Sequence, residues 1–268
     1  SHMLNYHHSV VSFWTRIAVL MEIGIFDAMP DLKILFYPHD ETFLHEIVSL
    51  LPAHVSSRFT SASRDYQHFH MLTWPHLEGP TGDVSPYAMQ HYRMPPPSAI
   101  AVLRRRFLPE PLWTVERDTV ILYTRSQAAR QTSGDEQLAT SLQSALNNTY
   151  GSGAVRVVTF PKGKQNIPSQ QELFARALVV VGPHGAALTN VVWCQPGSVL
   201  IERPTVSTFQ AAIFSHVALS VGMEHIHLRR PGVHIANNHE FGTHHNGLYP
   251  EAHDQILAAV LKAVSFVK

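Results

Sequence analysis

The chain has one cysteine, Cys194, in 268 residues, so no disulfide can form within it and folding in a reducing compartment is expected. Cys194 sits in an apolar segment, where a buried, inert thiol fits better than a reactive one. Net charge is also missing, because 20 Lys and Arg balance 20 Asp and Glu. No overall field draws in nucleic acid or an acidic membrane, and any anion site must be built locally. Long apolar runs are lacking too. The stretch 10–26 is broken by Trp14-Thr15-Arg16 and Glu22, so it reads as a packed helix and not a membrane span. Ser1-His2-Met3 has the form of a scar left by tag cleavage, so the natural start is expected to differ and a native anchor there stays open. With 45% hydrophobic and 15% charged residues, the composition is that of a globular protein holding one large domain or two small ones.

What is present centres on Val179-Val180-Val181-Gly182-Pro183-His184-Gly185-Ala186-Ala187-Leu188-Thr189-Asn190. A β-branched strand runs into a Gly-Pro-His-Gly turn, and a helix then starts on small residues. Backbone N–H groups and the positive end of a helix dipole converge there, which suits a phosphate. The small residues Gly185, Ala186 and Ala187 let a bulky diphosphate come close to the backbone. A nucleotide or nucleotide-sugar is the ligand class this pattern favours.

Around this stretch the second half alternates strands and helices. Strands are expected at 119–124, 155–160, 178–181 and 199–202, and helices at 135–147, 169–176 and 186–193. That alternation predicts a parallel, doubly wound α/β sheet with its ligand at the carboxyl ends of the strands. The first half reads as a helix over 4–29, a strand at 32–37, a helix at 41–51 and one or two strands within 59–77. A loop rich in Pro and Gly follows at 75–83, then a helix to Phe107 capped by Ser98. Pro109-Glu110-Pro111 reads as an interdomain linker. The expected division is 1–110 for an acceptor-side α/β domain, 111–249 for a nucleotide-sugar domain, and 250–268 for a closing amphipathic helix.

Several side chains fall at or just beyond strand ends. Arg125 ends one strand and Arg130 follows, and two guanidiniums there can grip a phosphate through paired N–H donors. The alternative is a surface arginine pair. His184 can act as a general base, a structural group, or a donor to a leaving diphosphate, which is favoured because imidazole titrates near neutrality. Asn190 and Thr189 either touch the ligand or brace the helix. Glu202 can accept both hydroxyls of a ribose or pair with Arg203 or Arg229. The histidine groups His68-Phe69-His70, His225-Ile226-His227 and His244-His245 invite a metal reading. None has a strong ligand spacing and no cysteines complete a zinc set, so no metal is expected.

The order of these pieces resembles glycosyltransferase family 61, which includes plant xylosyl- and arabinosyltransferases and animal N-acetylglucosaminyltransferases. The likeness is carried by Tyr123-Thr124-Arg125 with Arg130 and Asp135-Glu136, by Gln171-Glu172-Leu173-Phe174, and above all by residues 182–190 continuing to Pro196-Gly197-Ser198 and Glu202. Asn5-Tyr6-His7-His8 looks like the family's Asn-x-x-His motif, although the aspartate that often follows four residues later is Ser12 here. The short, cysteine-poor chain resembles compact microbial or large-virus enzymes such as the xylosyltransferases of algal viruses, which implies a cytoplasmic location.

The resemblance implies a GT-B-like fold, with two Rossmann-like domains and a nucleotide-sugar cleft between them. It implies an inverting, metal-independent transfer from a UDP-sugar to a glycan hydroxyl, with no other cofactor. Arg125, Arg130 and the His184 turn would neutralise the diphosphate. Uracil would lie by the loop after Phe160, and Glu202 near the ribose. The base that deprotonates the acceptor is sought in the first half, at Asp83 in the long loop, then His8, then Glu78. Xylose is preferred over N-acetylglucosamine as the sugar. The rival reading is an inactive, carbohydrate-binding module that keeps the pocket without a base.

Overall fold

The computed structural model describes residues 8–36, 41–61, 94–124, 134–160, 166–203, 208–228 and 250–268. The chain divides into two compact units, Ser1–Leu108 and Pro109–Lys268.

In the first unit, strands β1 (Ile34–Phe36) and β2 (Phe59–Ser61) pair in parallel. The helix expected over 4–29 is three pieces: a π-type segment His8–Trp14, an α-helix Thr15–Glu22 and a short turn Ile25–Ala28. Gly24 breaks it, with φ +72°, a left-handed conformation that glycine adopts without a side-chain penalty. Phe13, Ile17, Leu20 and Phe26 bury together with Leu51 and Val55. The helix Pro97–Phe107 has no side-chain cap. Ser98 does not cap it, because the helix starts one residue earlier, on Pro97. Proline suits that first position because its missing N–H needs no partner there. Arg105 and Arg106 of this helix both bond the carboxylate of Glu22.

The second unit holds a five-stranded, all-parallel sheet: β3 (Thr119–Tyr123), β4 (Arg156–Phe160), β5 (Ala177–Pro183), β6 (Val199–Arg203) and β7 (Glu224–His227). Their order across the sheet is β4-β3-β5-β6-β7. The chain steps from β3 to β4 in one direction and then returns past β3 to β5. Right-handed crossovers therefore place the helix Asp135–Tyr150 on one face. The helices between β4 and β7 fall on the other. Burial agrees: Val120, Leu122, Val179, Val181, Val199 and Ile201 pack against Leu138, Leu142 and Leu146 and against Ile256 and Val260 of the closing helix Pro250–Val267.

Three elements of this unit differ from the sequence reading. Residues Ala186–Trp193 form a 3-10 helix, tighter than the α-helix expected. Thr189, Val191 and Val192 are β-branched and disfavour an α-helix. The Asn190 amide also donates to Ala187 O, three residues back, at 3.2 Å. The helix Thr208–Val221 and strand β7 were not anticipated. That helix is apolar on nearly all sides, so it lacks the polar stripe that betrays a surface helix.

Candidate functional site

Strand order reverses between β3 and β5, and the crossovers that leave them run to opposite faces; open parallel sheets bind ligands at the carboxyl ends of such strands. Tyr123 ends β3 and Pro183 ends β5. Gly182 lies against Tyr123: a Cβ on it would stand 2.6 Å from the Cβ of Tyr123. Only glycine lets the two strand ends come this close. His184 and Gly185 follow directly. The first bond of the 3-10 helix runs from Leu188 N–H to Gly185 O at 2.9 Å, so the amides of Gly185, Ala186 and Ala187 precede the helical ladder.

His184 is held from behind. Its Nδ1 lies 2.7 Å from Glu202 Oε1 on β6, and Phe214 packs on its ring at 4.7 Å between centroids. The other oxygen of Glu202 lies 3.1 Å from Nε2 of His225 on β7. Register explains the meeting: Glu202 is level with Gly182 on one side and His227 on the other. Glu202 is 0% exposed. Burial pushes its pKa up, but the bonds from His184 and His225 outweigh that and hold it below the ordinary glutamate value. An ionised carboxylate only accepts, so both rings donate N–H to it. That leaves the Nε2 edge of His184 without a partner among the described residues.

The next residue, Arg203, points to the opposite face. Its Nη1 pairs with Asp135 Oδ1 at 2.8 Å, at the start of the helix Asp135–Tyr150. Arg203 is 4% exposed, and its Nε and Nη2 have no hydrogen-bond partner among the described residues.

The remaining expected site residues fall as follows. Asn190 is buried and braces the turn, its amide donating to Gln170 Oε1 at 2.8 Å. Phe160 is buried edge-on against Phe174, with centroids 5.2 Å apart. The ribose partner proposed for Glu202 would compete with two histidines, and neither Arg203 nor any other described arginine pairs with it. Asp83, Glu78, Arg125 and Arg130 lie outside the described residues, as does the side chain of His8. So do His68, His70, His244 and His245. His225 and His227 do share a face of β7, with ring centroids 6.5 Å apart. Among the described residues no three His, Cys, Asp or Glu are grouped to hold a metal ion. Sequence reasoning missed His225 as a partner of Glu202. The cue was the His-x-His alternation, which required β7 to be placed beside β6. Cys194 is buried, as expected.

The five-stranded parallel sheet with helices on both faces defines a Rossmann-like α/β protein. The family profile Glycosyltransferase 61 matches residues 6–201. The match spans well over half of the chain, and the protein belongs to that glycosyltransferase family. No curated protein matches the chain. Among the described residues no helix is long and apolar enough to cross a membrane.

Proposed function

We propose that the protein is a metal-independent, inverting glycosyltransferase that moves a sugar, xylose by preference, from a UDP-sugar to a glycan hydroxyl. The observation that carries this reading is His184, held by Glu202 beside the amides of Gly185–Ala187 where the sheet order reverses. Charge builds on the departing diphosphate in such a transfer, and preorganised N–H groups are best placed to meet it. His184 and the turn amides supply donors from unit 2. Arg125 and Arg130, on the segment that follows β3, would add the positive charge that a metal ion supplies in other transferases. A GT-B arrangement, with the donor on the second unit and the acceptor on the first, goes with this reading. So does a reducing, cytoplasmic setting, which the single cysteine favours.

The base belongs on the acceptor side, with Asp83 first, then His8, then Glu78. Asp83→Asn is expected to abolish transfer and leave UDP affinity unchanged; retained turnover would remove Asp83 from the mechanism. Ser12, standing where the family often has aspartate, favours the second reading of an inactive sugar-nucleotide-binding module. A thermal-shift panel of UDP-sugars, followed by hydrolysis and transfer assays with and without EDTA, separates the two. Binding without any turnover would favour the module, and turnover abolished by EDTA would overturn the metal-independent mechanism.

A further inference from the structure

Glu202 has no oxygen left over. Both are engaged, at 2.7 Å by His184 Nδ1 and at 3.1 Å by His225 Nε2, in a fully buried position. Because the carboxylate accepts both N–H groups, neutral His184 carries its single proton on Nδ1 and a lone pair on Nε2. A lone pair repels a phosphate oxygen. A phosphate can settle on that edge of the ring only once Nε2 also bears a proton.

The geometry points to Glu202 as a positioning residue that, with His225, fixes the tautomer of His184 so that diphosphate binding takes up one proton onto His184 Nε2. The inference rests on the UDP-sugar reading above and makes Glu202 a partner of His184 in place of a ribose ligand. The proton comes from solvent and ends on Nε2, while Glu202 stays ionised and balances the imidazolium across the 2.7 Å bond. The imidazolium then stands between two anions, a buried carboxylate behind and a phosphate in front. When the sugar leaves, the diphosphate finds that N–H already aimed at it.

Among the described residues, the ionisable groups around His184 come from three strands and one helix. Strand β6 brings Glu202, with the Arg203–Asp135 pair on the opposite face. Strand β7 brings His225 and, level with Glu202, His227. Strand β3 ends in Tyr123, against Gly182. The helix Thr208–Val221 places Phe214 on the ring and also carries His216. The bond from His184 runs to the one carboxylate in this set that lies on its own face.

Nitrogen-15 NMR of the ligand-free protein at about pH 8, with His184→Gln for assignment, reads the tautomer directly. Protonation on Nδ1 is expected; a ring protonated on Nε2 alone would overturn the inference. Calorimetric titration of UDP at the same pH, in HEPES and in Tris, counts protons. The whole chain is expected to take up about one proton on binding, and His184→Gln none. Glu202→Gln should weaken UDP about tenfold at about pH 8 and less at about pH 6, where protonation is easier. No buffer dependence in the unmodified chain, uptake that survives His184→Gln, or an equal loss at both pH values would overturn the proton uptake. If Glu202→Gln does not fold, the unmodified chain and His184→Gln still decide. If UDP does not bind at all, the donor reading fails and the uptake with it, while the tautomer still judges the role of Glu202.

Discussion

At the amino ends of the five strands, polar groups close on one another. Asp118 takes Arg156 at 3.2 Å, Arg176 at 3.6 Å and the hydroxyl of Thr119 at 2.6 Å. Gln195 bonds the carbonyls of Val115 and Ala175, and Ser198 that of Ala177. At the carboxyl ends the segments that follow β3, β4, β6 and β7 lie outside the described residues. Among the described residues, His184 bonds through one ring nitrogen and Arg203 through one of its three guanidinium nitrogens. Parallel sheets bind ligands at their carboxyl ends, and the anion site proposed above lies there.

Substitutions at the two ends should separate binding from stability. Arg125→Ala removes a charged two-pronged grip on phosphate and is expected to weaken UDP about 100-fold, on the scale of one or two charge-assisted bonds. Unchanged affinity by calorimetry would take Arg125 out of the site. Gly182→Ala forces a methyl to within 2.6 Å of Tyr123, an overpacking expected to cost about 1–3 kcal/mol and to lower Tm. Wild-type Tm in that variant would show that the strand ends are not as close as described.

Acid should loosen the carboxyl end. The pKa of Glu202 is lowered on folding, so its contribution is complete above the unfolded value. It is lost as pH falls through the lower folded value. The loss is therefore expected below the ordinary glutamate range, and Glu202→Gln should flatten it in an acid unfolding series. The smallest effect falls at the amino end. Asp118→Asn should cost under about 1 kcal/mol, because its partner Arg156 is half exposed and screened by water, and should leave UDP binding intact. A binding defect there would blur the contrast between the two ends.

The strands β3 to β6 were legible in the sequence because runs such as Val120-Ile121-Leu122 and Val179-Val180-Val181 are β-branched or apolar and bounded by turn residues. The His184 turn was legible for the same reason, being pinned between a strand and a run of small residues. The partners of Glu202 were not. His184, Glu202 and His225 meet only because β5, β6 and β7 are neighbours in a fixed register, and local pattern carries no register across crossovers. The 3-10 winding of Ala186–Trp193 escaped too, since it depends on Asn190 reaching Ala187 and Gln170.

Hydrogen exchange with and without saturating UDP tests the contrast most directly. Slowed exchange is expected at the amides of Gly185, Ala186 and Ala187, and no change at Asp118 or Gly197 at the amino end. Unchanged exchange at Gly185–Ala187, or protection confined to the amino end, would contradict it.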